Sequence, residues 1–258
     1  MDLKLKGKTA IVTGGSAGIG LAIVQALTAE GVTVSVPGRS KEKLDKALSG
    51  LSNVRAIAAD VATAESAQAL IQQVSDTDIL INNLGVYEPK AFADITDADW
   101  LSIFETNVLS GVRLSRHYFP GMLKRNDGRI IFISSESGVM TPAEMIHYGV
   151  TKSSQLAISR GLAELTKGTA VTVNTVMPGP TRSEGIVEFL EKISSIPNPT
   201  PEQAEREFFE KHRSSSLLQR LIESPEIANL VTFLASPLSS ATNGAALRAE
   251  GGLLRSIV

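Results

Sequence analysis

The stretch TGGSAGIG, residues 13–20, stands between the short apolar run TAIVT and a segment of helical character spanning 18–30. Glycine reaches backbone conformations, and permits close approaches, that a Cβ would block. The free N–H groups at a helix start attract phosphate. A glycine-rich loop in a strand–loop–helix setting at the head of the chain is therefore expected to hold the phosphates of a dinucleotide, with Gly14, Gly18 and Gly20 as its hinges. The plain alternative is a glycine turn that only packs the helix tightly on a sheet.

Outward from this loop the same rhythm continues. The runs VTVSV, VRAIAA, DILIN, RIIFIS and AVTVNTV are short and rich in β-branched residues, and they read as buried strands; AALRAE reads as a last short one. Between them lie stretches of helical character at 41–48, 64–74, 98–124 and 148–166. Strands alternating with helices predict an α/β fold whose mostly parallel sheet, of about seven strands, is covered by helices on both faces. Right-handed crossovers make it a doubly wound Rossmann fold. With no internal repeat and no linker, residues 1–258 are expected to form one domain for dinucleotide binding and catalysis.

Residues 183–216 break the rhythm. They are polar and charged, with IPNPTP in the middle and EQAEREFFEKHR after it. A helical substrate lid is expected there; a solvated surface excursion is the alternative.

Composition excludes several classes. Lys plus Arg number 25 and Asp plus Glu 27, a formal charge of -2, so neither nucleic acid nor an anionic membrane is an expected partner. The absence of cysteine removes disulfides, thiolate metal sites and cysteine nucleophiles together. The start, MDLKLKGKTAIVTGG, lacks a signal-like apolar run, and no stretch approaches membrane-span length, so a cytoplasmic protein is expected. No metal site is visible at ligand spacing.

The second focus is YGVTK, residues 148–152. Residues i and i+4 share a helix face, so Tyr148 and Lys152 can point the same way. A free tyrosine titrates near pH 10, too high for ready proton exchange at neutrality. An ammonium about 4 Å away, at an effective dielectric of about 20, favours the phenolate by about 4 kcal/mol before screening. The phenol then becomes a candidate general acid or base. Alone, the pair also fits an ordinary helix surface. Ser135 lies thirteen residues earlier, at the C-terminal end of a predicted central strand, where open α/β sheets place their binding crevice. Its hydroxyl can donate to a substrate oxygen. Asn107 sits inside a predicted helix, where asparagine is a mediocre residue, so it invites a reason; a chance exposed asparagine is the alternative. His147 reads as a substrate-pocket or structural residue.

The spacing Gly14, Gly18, Gly20 with Ile19 between the last two resembles the short-chain dehydrogenase/reductase family. Further family landmarks follow in order over nearly the whole chain: NNLG at 82–85, FETNVLS around Asn107, ISSESG from Ile133, YGVTK, and NTVMPGPT at 174–181. Two positions depart mildly from the pattern, Leu84 in NNLG and Glu250 in EGG. The resemblance implies a catalytic set of Asn107, Ser135, Tyr148 and Lys152, with Asn107 helping to hold a water linked to Lys152, and Lys152 also binding the nicotinamide ribose. It implies that Ile19 belongs to the cofactor loop, that Asp60 and Val61 flank the adenine, and that Asn83 and Gly85 line the ribose side. Pro178, Gly179 and Thr181 would hold the nicotinamide end. Asp60 could instead cap a helix, and Pro178–Gly179 could be a plain turn.

An NAD site of this type wants a carboxylate about 20 residues past the loop. Here Gly38 stands in that place and Arg39 follows, with Lys41 and Lys43 nearby. A guanidinium grips a 2′-phosphate that a carboxylate would repel, and Ser16 can donate to the same phosphate. NADP(H) is expected in preference to NAD(H), against the alternative of an ordinary solvated helix start. The expected activity is hydride transfer between nicotinamide and a carbonyl or secondary alcohol, with Tyr148 as general acid/base. The chain resembles the 3-oxoacyl-carrier-protein reductase branch. An NAD-dependent alcohol or sugar dehydrogenase, and a non-catalytic dinucleotide-sensing protein, remain alternatives. The resemblance implies a homotetramer or homodimer built on two long central helices.

Overall fold

The computed structural model describes residues 1–257; Val258, the last residue of the expected domain, lies outside the described residues, as does the side chain of Glu184. Seven strands form one sheet: β1 (Thr9–Val12), β2 (Thr33–Gly38), β3 (Val54–Ala58), β4 (Ile79–Asn82), β5 (Arg129–Ile133), β6 (Thr172–Pro178) and β7 (Ala246–Ala249). Their order across the sheet is β3-β2-β1-β4-β5-β6-β7, and every pairing is parallel. The order reverses between β1 and β4, so a crevice opens beyond their C-terminal ends.

The central strands are apolar throughout because both faces are covered. Successive side chains alternate between two cores. Val12, Ile79, Ile81, Ile131 and Ile133 pack towards α1 (Gly18–Ala29), α2 (Lys41–Ala47) and α9 (Ser224–Ala235). Ile11, Leu80, Ile130 and Phe132 pack on the other face against α3 (Ala64–Gln73) and α5 (Ser110–Arg125). α6 (Ile146–Glu164) runs on that same face. The expected helix at 98–124 is α4 (Asp97–Phe104) joined to α5 by a π-helical turn, Glu105–Leu109, that contains Asn107. Such turns insert one extra residue and re-aim a side chain.

The segment 183–216 holds α7 (Glu184–Ile193) and α8 (Pro201–Lys211). Both are locally specified: Ser183 accepts from the Ile186 N–H, and Thr200 and Gln203 form a capping box ahead of Pro201. Leu190, Ala204, Phe208, Phe209 and Leu221 give the pair an apolar core of its own. Arg182 ties it to the body through Glu205 at 2.7 Å and Glu223 at 2.8 Å. Among the described residues no helix is long and apolar enough to cross a membrane.

Candidate active site

A cleft of about 790 Å³ lies beyond the C-terminal ends of the central strands, roofed by α7 and the end of α8. That size suits a cofactor and a small substrate. Gly14, Ser16, Gly18, Ile19 and Gly20 line one side. Asn83, Gly85, Ser135, Tyr148 and Lys152 line its floor, with Pro178, Gly179 and Thr181 at the far end.

The glycine loop is shaped by main chain. Gly14 has φ +65, a conformation that disfavours a side chain. At Gly20 a Cβ would lie 2.1 Å from the Gly14 carbonyl oxygen. Asn83 fastens the loop: its Nδ2 donates to the Thr13 carbonyl at 2.9 Å, and its backbone N–H donates to Thr13 Oγ1 at 2.9 Å. Ala17, the residue before α1, offers no side-chain cap, so no side chain competes for the first N–H groups of that helix. A Cβ on Gly85 would meet Lys152 Nζ at 3.3 Å, so the floor is kept thin beside the ammonium. These features fit a dinucleotide lying across the loop.

Three expected cofactor residues lie off this cleft lining: Arg39, Asp60 and Val61. Arg39 is exposed at the turn between β2 and α2. Ser40 caps α2, and Lys41 is drawn to Asp45 at 2.6 Å. Asp60 accepts from the Ala62 N–H at 3.2 Å, while the cap of α3 is Thr63. Val61 turns its side chain into the core, so only its main chain can face a ligand.

Ser135 is the second residue past the end of β5, and Tyr148 and Lys152 rise from the first two turns of α6. Lys152 Nζ sits 5.6 Å from the centre of the Tyr148 ring. It donates to the Ile133 carbonyl at 3.0 Å and to Gln155 Oε1 at 3.2 Å. Gln155 Nε2 in turn donates to the Asn107 carbonyl at 2.6 Å. The Asn107 side chain is fully engaged, with Oδ1 accepting from the Val86 N–H at 2.8 Å and Nδ2 donating to Val86 O and Thr151 Oγ1. On the path where the resemblance implies a water, an amide side chain thus joins the Asn107 main chain to Lys152. The π turn presents the Asn107 carbonyl for it.

The electrostatics differ from the expectation for the phenol. Burial pushes the Tyr148 hydroxyl up, the Glu136 carboxyl adds to that, and a hydrogen bond from Ser135 acts in the opposite sense. The ammonium that was to lower it is occupied by Ile133 and Gln155. Burial lowers Lys152 itself to about 8, against the pull of Glu136. Glu136 is buried beside the serine: Ser135 Oγ and Glu136 Oε2 share a short hydrogen bond, and Ser137 Oγ donates to Oε1 at 3.3 Å.

The substrate side is mixed. Tyr87, Met145, Ile186 and Phe189 supply apolar surface, and Tyr87 meets Tyr148 edge-on at 6.1 Å. Met140 is 41% exposed and stands outside the lining. Glu136, Glu144, His212 and Arg213 supply polar groups. His147 packs edge-on against Trp100 at 5.9 Å and is structural. Gln155 and Arg213 were not singled out from sequence. Gln155 carries one signal, a polar residue at i+7 from Tyr148 on a predicted helix; Arg213 carries none, because its place depends on how α8 folds back.

The sequence profile described as short chain dehydrogenase matches residues 8–193. An uncharacterized oxidoreductase of Bacillus subtilis strain 168, YvaG, is 49% identical over the full length of both chains. The 3-oxoacyl-acyl-carrier-protein reductase FabG of Vibrio cholerae is 32% identical, over 97% of this chain and 99% of its own. Among solved structures, an L-sorbose reductase of Gluconobacter frateurii, complexed with NADPH and L-sorbose, superposes with a TM-score of 0.92 at 27% identity over the whole of both chains.

Proposed function

The chain belongs to the short-chain dehydrogenase family, and on that premise we propose that it is an NADP(H)-dependent oxidoreductase acting on a carbonyl or secondary alcohol. The observation that carries the reading is the meeting of Ser135, Tyr148 and Lys152 on the floor of the cleft that the glycine loop opens. Bound there, a nicotinamide dinucleotide supplies or accepts the hydride. Ser135 then holds the substrate oxygen, Tyr148 gives or takes its proton, and Lys152, braced by Ile133 and Gln155, presents a positive charge beside them. Lys152 would also bind the nicotinamide ribose, and Gly14, Ser16, Gly18, Ile19, Gly20, Asn83, Gly85, Pro178, Gly179 and Thr181 would hold the rest of the cofactor.

NADP(H) over NAD(H) is supported by Gly38 in place of an acid, by the exposed Arg39 beside it, and by the NADPH in the sorbose reductase structure. Residues 183–216 act as the substrate lid, since Ile186 and Phe189 of α7 and Arg213 beyond α8 cover the catalytic floor. Assembly as a homotetramer or homodimer is supported by apolar surface on the helices expected to pair, where Leu101 of α4 is 72% exposed and Val150 of α6 40%. We assign the working protein to the cytoplasm.

The test is NADPH and NADH oxidation against ketones, aldehydes, quinones and acyl thioesters, with dinucleotide binding titrated separately. Turnover of one carbonyl class with NADPH favoured is expected. Tight binding without turnover across the panel would instead indicate a dinucleotide sensor.

A further inference from the structure

The residue after the catalytic serine is a buried glutamic acid, and the proton count around it is restrictive. A hydroxyl has one proton to donate and two lone pairs. Ser135 Oγ already accepts from the Ser137 N–H at 3.1 Å. Its remaining capacity is one lone pair and one proton, and Glu136 Oε2 is hydrogen bonded to it. If Glu136 is ionised, the carboxylate can only accept, so it takes the Ser135 proton and nothing is left for a substrate oxygen. If Glu136 is a neutral acid carrying its proton on Oε2, that O–H fills the last lone pair of Ser135, and the serine proton turns to the cleft side, where the Tyr148 oxygen or a substrate oxygen accepts it.

We propose that Glu136 is a positioning residue for Ser135: as a neutral carboxylic acid it directs the serine proton onto the substrate oxygen, and its ionisation switches that donor off. The inference rests on the reading of Ser135 as the group that meets that oxygen. In reduction, hydride adds to the carbonyl carbon, the C=O π pair moves to oxygen, and Tyr148 donates its proton there, to be replaced from solvent. Charge builds on the oxygen in the transition state, where a carboxylate one hydroxyl away would repel it. One transition state serves both directions, so the neutral acid is required for oxidation and reduction alike, and the exchanged proton remains that of Tyr148.

The surroundings favour the neutral form. Glu136 is 6% exposed, and burial raises its carboxyl above the usual range. The bonds from Ser135 and Ser137 and the charge of Arg213, beyond α8, work in the opposite direction and are outweighed. From α6, the Tyr148 phenol and the Lys152 ammonium both sense the Glu136 charge. Arg213 is itself shared with Glu144, 3.8 Å from it.

Infrared difference spectra between the unmodified protein and Glu136→Gln, at neutral pH without substrate, test the protonation directly. The C=O stretch of one protonated carboxyl is expected; carboxylate bands in its place overturn the proposal, whether or not the protein turns anything over. The kinetic arm uses NADPH with 2,3-butanedione. Reduction by the unmodified enzyme should fall, as pH rises, through an ionisation that Glu136→Gln lacks, the variant being about threefold to tenfold slower at the optimum. A pH profile superimposable on that of the unmodified enzyme, or a loss beyond about 1000-fold at every pH, overturns it. Should Glu136→Gln fail to fold, Glu136→Asp replaces it: a shifted carboxyl band and a shifted midpoint are expected, and neither moving refutes the assignment. Failure of the functional reading shows separately, as absence of turnover by the unmodified protein.

Discussion

The two sides of the cleft are built of different material. Around Gly14 and Gly20 the surface is main chain, drawn close enough that a single Cβ would strike the Gly14 carbonyl, and pinned by Asn83. Around Tyr148 the surface is side chain, a buried polar network in which Lys152 and Gln155 reach partners on other elements while Ser135 and Glu136 pair within one turn. The first side offers backbone N–H groups, which suit a pyrophosphate whatever is attached to it. The second commits to one proton inventory, and each member matters through what it leaves its neighbour free to do.

The comparison breaks most sharply at Tyr148. Tyr148→Phe removes one hydroxyl from the side-chain wall and touches nothing on the glycine loop. Turnover should fall by about 10³-fold or more, while dinucleotide affinity, read by fluorescence titration, stays within about threefold. Retained turnover would show that the two walls do not divide binding from chemistry as described.

The converse change is Gly20→Ala. Its Cβ would meet backbone, which cannot swing aside, and the expected cost is about 1–3 kcal/mol, expressed as lower thermal stability and weaker dinucleotide binding. Turnover at saturating cofactor should suffer less than binding does. An alanine variant that binds NADPH normally would mean that the loop opens more easily than the close approach implies.

Within the side-chain wall, Gln155→Leu separates packing from polarity. Gln155 is 2% exposed and bridges Lys152 Nζ to the Asn107 carbonyl. Leucine fills similar space but leaves the Asn107 carbonyl and one hydrogen of the ammonium without a partner, at a cost of about 1–3 kcal/mol in unfolding free energy. Turnover should fall at saturating dinucleotide, and its pH profile should move, because Lys152 loses an acceptor that holds it beside Tyr148. Gln155→Glu should shift the profile to higher pH, since a carboxylate favours the charged lysine. Unmoved profiles in both variants would reduce Gln155 to a packing role.

This division also explains what could be read from the chain. A main-chain site leaves glycines at fixed spacing, so the loop was legible; the strand–helix rhythm carried the parallel sheet, and the i, i+4 spacing carried the facing of Tyr148 and Lys152. The π turn was not, because the apolar pattern of residues 98–124 runs through it and only Asn107 hinted at a reason. Val61, expected beside the adenine, lies in the turn between β3 and α3 with its side chain in the core, which leaves only its main chain for that role, a choice of face that the sequence of a turn does not announce. The polar segment 183–216 hid its own core, since Leu190 and Phe208 meet only once α7 and α8 fold together. The phenol's environment is hidden from the sequence for the same reason: spacing places Lys152 on the face of Tyr148, but the groups that capture its ammonium and the acid that opposes the phenolate come from β5, the turn after it and the next turn of α6.

The smallest expected effect tests the outer edge of the main-chain side. Gly38→Asp puts a carboxylate at the end of β2, beside the exposed Arg39. The new Cβ would lie 3.3 Å from the Leu44 side chain, a tight contact that a leucine can relieve by shifting a few tenths of an ångström. The acid then accepts from ribose hydroxyls and repels a 2′-phosphate, so the ratio of NADPH to NADH affinity should drop by about tenfold, near 1.4 kcal/mol. Arg39→Ala should lower NADPH affinity without improving that for NADH, because it removes a donor and adds no acceptor. If neither variant changes the ratio, the 2′-phosphate is held elsewhere, and the boundary of the main-chain wall must be redrawn away from β2.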